Sequence, residues 1–245
     1  MTLRVFESTE ALAYACATFI AKHAKAAITQ RGEFNIALSG GSTPAATYKK
    51  LAQEPLSNQI PWAQVHVFWS DERCVPPEDP ESNYGIAYAT LLKHVAIPSE
   101  NIHRLHGELP PAEASDQANG ELAAHFGRDV APIFDLILLG LGEDGHTASL
   151  FPGSEALKKT DGLVAANYIA KLHAWRLTST YPLINAARQI LFLVSGDKKA
   201  EVVKRTVEDH DPRLPASIVQ PGSGSVTWYL DQPAAGCLSR QTLGN

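Results

Sequence analysis

The chain has 245 residues, 44% hydrophobic and 19% charged, enough for one large core or at most two small ones and too apolar for wholesale disorder. The net charge is −5, from 21 basic and 26 acidic residues; no basic block or Lys/Arg stripe occurs, so nucleic acid is not an expected partner. No apolar run approaches the ~20 residues of a membrane helix, the N-terminus lacks a signal-peptide core, and Cys16, Cys74 and Cys237 form no CxxC pair, so the expectation is a cytoplasmic protein without disulfides, zinc clusters or a membrane anchor.

A first strand is expected from about residue 3. Thr9 to Gln30 reads as a helix, with Leu12, Cys16, Phe19, Ile20 and His23 on one stripe. Glu33 to Leu38 reads as a strand and Pro44 to Gln53 as a helix with proline in its first turn. Val65 to Trp69 is the next strand, and Tyr84, Tyr88, Leu91, Leu92 and Val95 mark a helix face. Asn101 to Leu105 reads as a short strand, Ala112 to Phe126 as a helix and Phe134 to Leu141 as a central strand buried on both faces. Strands at Leu163 to Ala166, Arg176 to Thr178 and Gln189 to Val194 follow, then a helix over Lys198 to Val207 and a strand over Val226 to Leu230. This alternation predicts one α/β domain spanning 1–245, a mostly parallel sheet with helices on both faces.

Three loops after strands carry residues able to do chemistry. Ser39-Gly40-Gly41-Ser42-Thr43-Pro44 offers backbone N–H groups, hydroxyls and a helix N-terminus, an anion cradle suited to phosphate. It lacks the Gly-Lys-Ser/Thr of a nucleoside-triphosphate loop, and its plain alternative is an ordinary capped turn. Ser70-Asp71-Glu72-Arg73-Cys74 follows the Val65 to Trp69 strand with two acids and an arginine. Arginine suits phosphate or a developing oxyanion; a surface ion cluster is the alternative. Cys74 reads as an inert, half-buried thiol.

The third loop, Gly140-Leu141-Gly142-Glu143-Asp144-Gly145-His146, ends the central strand in glycines and delivers an acid and a histidine to the sheet edge. Histidine is the residue type that exchanges protons near neutral pH. Its Gly-x-Gly-x-x-Gly spacing matches a dinucleotide fingerprint, but Phe151-Pro152-Gly153 stops any helix within about two turns, against that reading. The other eight histidines look scattered, without a metal-ligand pattern such as HExxH.

Six ordered pieces resemble the glucosamine-6-phosphate isomerase/6-phosphogluconolactonase family on its lactonase side. They are Leu38 to Pro44, Trp69 to Arg73, Ser82-Asn83-Tyr84, Leu139 to Pro152, Arg176-Leu177-Thr178 and Ser195 to Ala200, with Leu214-Pro215-Ala216-Ser217 extending the match. The resemblance implies a Rossmann-like, deaminase-like scaffold and hydrolysis of a sugar-phosphate lactone without metal or cofactor. It implies His146 as base, Asp144 or Asp71 orienting it, and Arg73 on phosphate or oxyanion. The phosphate would be held by Ser39, Gly40, Gly41, Ser42 and Thr43 with Arg176 and Lys199. The partner is the small-molecule lactone; a monomer or small homo-oligomer is expected.

Deaminases of the same scaffold place a glutamate five residues after the histidine, where this chain has Phe151, and tend to have tyrosine at the position of Arg73. Both departures favour the lactonase. A non-catalytic sugar-phosphate sensor is the other alternative; such proteins usually carry a DNA-binding segment, for which a first strand near residue 3 leaves no room.

Overall fold

The computed structural model describes residues 1–128 and 131–244. Six strands form the main sheet: β1 (Thr2–Phe6), β2 (Phe34–Leu38), β3 (Val65–Trp69), β5 (Leu136–Leu139), β8 (Gln189–Val194) and β9 (Ser225–Asp231). Their order is β1-β9-β8-β5-β2-β3, and every neighbouring pair is parallel. β2 and β5 are buried at every position, as strands covered on both faces must be. Helices flank the sheet: α1 (Thr9–Arg31), α2 (Ser42–Leu51), α3 (Asn83–Thr90), α4 (Pro111–Phe126), the short α5 (Tyr181–Asn185), α6 (Ala200–Val207) and α7 (Arg240–Leu243). Among the described residues, no helix is long and apolar enough to cross a membrane.

Local chemistry sets the boundaries. Ser8 caps α1 by accepting from the Ala11 N–H at 3.1 Å, and Gly32, left-handed at φ +86°, closes it. β5 is shorter than the expected Phe134 to Leu141 strand. At its start the Asp135 carboxylate accepts from the Asn35 N–H at 2.9 Å and from Arg31 Nε at 3.0 Å. At its end Gly140 to Gly142 leave the ladder for the loop.

Two expectations need correction. Asn101 to Leu105 is no strand: one bridge joins Ile102 to Val67, and tight turns on either side prevent a ladder. The strands expected near 163 and 176 lie outside the parallel sheet. β6 (Val164–Ile169) and β7 (Ala174–Ser179) form a hairpin that continues antiparallel to β4 (Asp71–Arg73), a second, three-stranded sheet. Periodicity marks a strand but not its partner.

The histidines are also less scattered than their spacing suggests. His66 on β3, His103 beside it and His125 near the end of α4 lie together. Burial, reinforced by the neighbouring imidazoles of His125 and His66, pushes the His103 pKa down to about 4.

The chain leaves β2 for β3 at the sheet edge and returns to β5 on the other side of β2. A crevice therefore opens beyond the carboxyl ends of β2 and β5, where open α/β sheets bind ligands.

Candidate active site

A cavity of about 380 Å³ fills this crevice, within the usual range for small-molecule sites. Ser39 and Gly40 after β2 and Gly140 to Gly142 after β5 form part of its wall. Arg73, Arg176, Lys199, Lys171 and His146 reach it from other segments. Four cations thus line a pocket whose only wall carboxylate among the described residues is Asp71, in a chain of net charge −5. Local charge, not the total, makes it an anion site.

The loop after β5 is built around His146. Its Nδ1 lies 2.5 Å from Asp144 Oδ1, and its backbone N–H donates to the same oxygen at 3.2 Å. With Nδ1 so engaged, Nε2 is the nitrogen left for a substrate or water. The side chain is 29% exposed, so a ligand can reach it. The second Asp144 oxygen takes the Lys171 ammonium, from the turn between β6 and β7. Burial works to raise the Asp144 pKa, but hydrogen bonds from His146 and Lys171 outweigh it and hold the carboxyl well below the usual carboxylate range. The Phe151 ring stacks on the imidazole, centroids 4.0 Å apart and planes 20° from parallel.

The glycines serve this geometry rather than a dinucleotide. A Cβ on Gly142 would stand 1.9 Å from His146 Nδ1. Gly145 is left-handed at φ +79°, and its carbonyl accepts from the Ala216 N–H at 3.0 Å while Leu214 packs against it. No α-helix begins in this loop, so the phosphate-facing helix of the fingerprint is missing.

Asp71 serves neighbours other than His146. It is buried and accepts from Ser149 Oγ at 2.7 Å and from Asn83 Nδ2 at 3.3 Å. Of the two acids expected to orient His146, only Asp144 contacts it. Glu72 is buried and accepts from the N–H groups of Arg73, Asn83 and Tyr84 at 2.7–2.8 Å, tying β4 to the start of α3. Burial raises its pKa against those bonds. Cys74 is pushed up to about 11 by burial, a thiol rather than a thiolate.

Arg73 and Arg176 face each other across β4 and β7. Arg73 donates to the Glu81 carbonyl and Arg176 to that of Trp175 at 3.5 Å; among the described residues neither meets a carboxylate at ion-pair distance. Burial and then the Arg73 charge lower the Arg176 pKa. Like charges placed opposite each other cost stability, and a bound anion would relieve that cost. Lys199 enters from the turn after β8, where the Gly196 N–H donates to the buried Asp231 carboxylate at 3.0 Å.

The Gly/Ser loop is only partly in the wall. Ser39 and Gly40 line the cavity, whereas Gly41, Ser42 and Thr43 do not. The Thr43 and Ser195 hydroxyls lie 2.7 Å apart, joining the ends of β2 and β8. The Tyr48 hydroxyl donates to the Ser39 carbonyl at 2.6 Å and accepts from its N–H at 3.0 Å, clamping the loop. A Cβ on Gly40 would stand 1.8 Å from Asn83 Oδ1.

Sequence reasoning missed Lys171, Asn83, Ser149, Tyr48 and Asp231. Asn83 and Ser149 sat inside recognised pieces without a role. Lys171 had no local signal, because only hairpin pairing brings it to Asp144.

Comparison with known proteins fits this geometry. The sequence model of the family described as glucosamine-6-phosphate isomerases/6-phosphogluconolactonase matches residues 7–228. A 6-phosphogluconolactonase of Synechocystis sp. is 44% identical over 213 residues, 85% of this chain and 86% of the relative. The solved 6-phosphogluconolactonase of Trypanosoma brucei is 30% identical, with a TM-score of 0.84 over 97% of this chain and 98% of that one. A monomeric glucosamine-6-phosphate deaminase superposes with a TM-score of 0.81 over 97% of this chain and 100% of that one, at 20% identity; this likeness shows the fold alone.

Proposed function

The chain belongs to the glucosamine-6-phosphate isomerase/6-phosphogluconolactonase family, and on that premise we propose that it hydrolyses 6-phospho-D-glucono-1,5-lactone to 6-phosphogluconate, a cytoplasmic step of the oxidative pentose phosphate pathway. The observation that carries the reading is one cavity holding both an imidazole oriented by a carboxylate and three cations, Arg73, Arg176 and Lys199, that among the described residues meet no carboxylate at ion-pair distance.

The chemistry divides between the two sides of the pocket. Lys199, Arg176 and the Ser39–Gly40 backbone hold the phosphate, placing the lactone carbonyl near His146. His146 Nε2 takes a proton from a water as it attacks that carbonyl. The Nδ1–H, held on Asp144, keeps the ring in the tautomer this requires and steadies the imidazolium that forms. Arg73 would meet either the phosphate or the negative charge that grows on the carbonyl oxygen. The proton on His146 then passes to the ring oxygen as the C1–O5 bond breaks, and the ring opens to the acid.

The deaminase reading loses support at Phe151. An aromatic ring stacked on His146 cannot supply the carboxylate that a ring-opening deaminase needs there. A coupled assay with freshly generated lactone tests the proposal, spontaneous hydrolysis being subtracted. Acceleration by the protein is expected; binding without turnover would favour a sensor, and ammonia release from glucosamine 6-phosphate a deaminase.

A further inference from the structure

We propose that His66, His103 and His125 form a second site, separate from the catalytic cavity, that binds one divalent transition-metal ion such as zinc. One nitrogen from each ring lies within 4.8 Å of the others. His66 Nδ1 and His103 Nε2 are 3.2 Å apart. Zinc held tetrahedrally at about 2.0–2.1 Å from each nitrogen sets its ligands about 3.3 Å apart, so this pair already has the separation that an ion requires.

The frame is rigid. His66 is on β3, the His103 N–H donates to the Val67 carbonyl at 2.8 Å, and His125 sits in the last turn of α4. The rings are partly buried. Phe68 stacks on His103 at 4.3 Å and Phe126 packs edge-on to His125 at 4.7 Å. None of these residues lines the catalytic cavity.

The outer contacts are those that histidine ligands use. His66 Nε2, the nitrogen facing away from His103, lies 4.0 Å from Glu33 Oε2. His125 Nε2 lies 2.7 Å from Asn35 Oδ1, and Asn35 Nδ2 in turn donates to Glu33 Oε1 at 2.8 Å. An oxygen acceptor on the outer nitrogen of a ligating imidazole fixes its tautomer and strengthens its donor nitrogen, the place that Asn35 Oδ1 takes on His125. Three neutral nitrogens select zinc, cobalt, nickel or copper over magnesium and calcium. The ion would pin the edge strand to α4 and raise stability by binding only the folded chain.

The test uses the full-length chain without a histidine tag, stripped with chelator and titrated with Zn²⁺ by calorimetry and with Co²⁺ by visible absorption. One ion per chain at a Kd of about 10 µM or tighter is expected, with a rise in Tm that EDTA reverses. His66→Gln or His125→Gln should weaken binding at least about tenfold, and the triple glutamine variant should abolish it with lactone hydrolysis retained. His146→Ala should bind zinc as the parent does. Absence of binding up to about 1 mM, full binding by the triple variant, or loss in His146→Ala would each overturn the site. If the glutamine variants do not fold, Co²⁺ broadening of imidazole resonances in the parent decides instead: broadening centred on these three rings supports the proposal, and broadening elsewhere overturns it.

Discussion

The imidazole of His146 lies against the ring of Phe151, 4.0 Å between centroids and 20° from parallel. Phe151 therefore holds the base from one side while Asp144 holds it at Nδ1. Phe151→Leu should leave the fold intact and lower kcat by about 10-fold or more, since small misplacement of a base is costly. Phe151→Glu should lower it further without creating deaminase activity, because the rest of the pocket is unchanged. Steady-state kinetics on both substrates decides this.

His146→Ala should reduce kcat by about 10²–10⁴, the usual worth of a general base, with an unchanged circular-dichroism spectrum. Asp144→Asn should also be slow, because the amide favours the wrong tautomer. The double variant should be no slower than His146→Ala alone, since the pair acts as a unit. Additive losses would show that Asp144 works by some route other than His146.

Arg176→Ala and Lys199→Ala should raise KM for the phosphorylated lactone by about 10–10², the worth of a charge-assisted hydrogen bond. Plain gluconolactone should be little affected. Equal losses on both substrates would move these residues from phosphate to general structure. Arg73→Ala separates its two readings: a fall in kcat marks the oxyanion, a rise in KM alone the phosphate.

Asp144 links the site to pH. Its carboxyl titrates below its ordinary 3.8 in the folded chain, where burial is outweighed by hydrogen bonds from His146 and Lys171. A depressed carboxylate contributes stability that is present above 3.8 and lost as pH falls below it. Between about pH 5 and about pH 3 the parent should therefore lose more Tm than Asp144→Asn does. Parallel curves would mean that the pair adds nothing to folding.

Much of the site was legible because chemistry-bearing residues followed strands directly. The end of β5 announced itself as four buried apolar residues running into glycines, and His146 came with its acid two positions away. The division of labour between Asp71 and Asp144 was not legible. Both are acids near the site, and only the packing of Ser149 and Asn83 around Asp71 removes it from the imidazole. Gly41, Ser42 and Thr43 looked equivalent to Ser39 and Gly40, yet Gly41 caps α2 and Ser42 and Thr43 begin it, outside the wall.

Periodicity and apolar runs by themselves determined the parallel α/β sheet, since burial on both faces leaves a local record in its central strands. The strand-end glycine loops and the likeness of six ordered pieces to one family determined the class of reaction. Only the tertiary structure decided that β6 and β7 leave the main sheet, that Lys171 meets Asp144, and that His66, His103 and His125 share one corner. The Lys171–Asp144 contact and the histidine cluster join residues 22 to 59 positions apart, and no local pattern encodes a pairing that depends on how hairpins and helices dock.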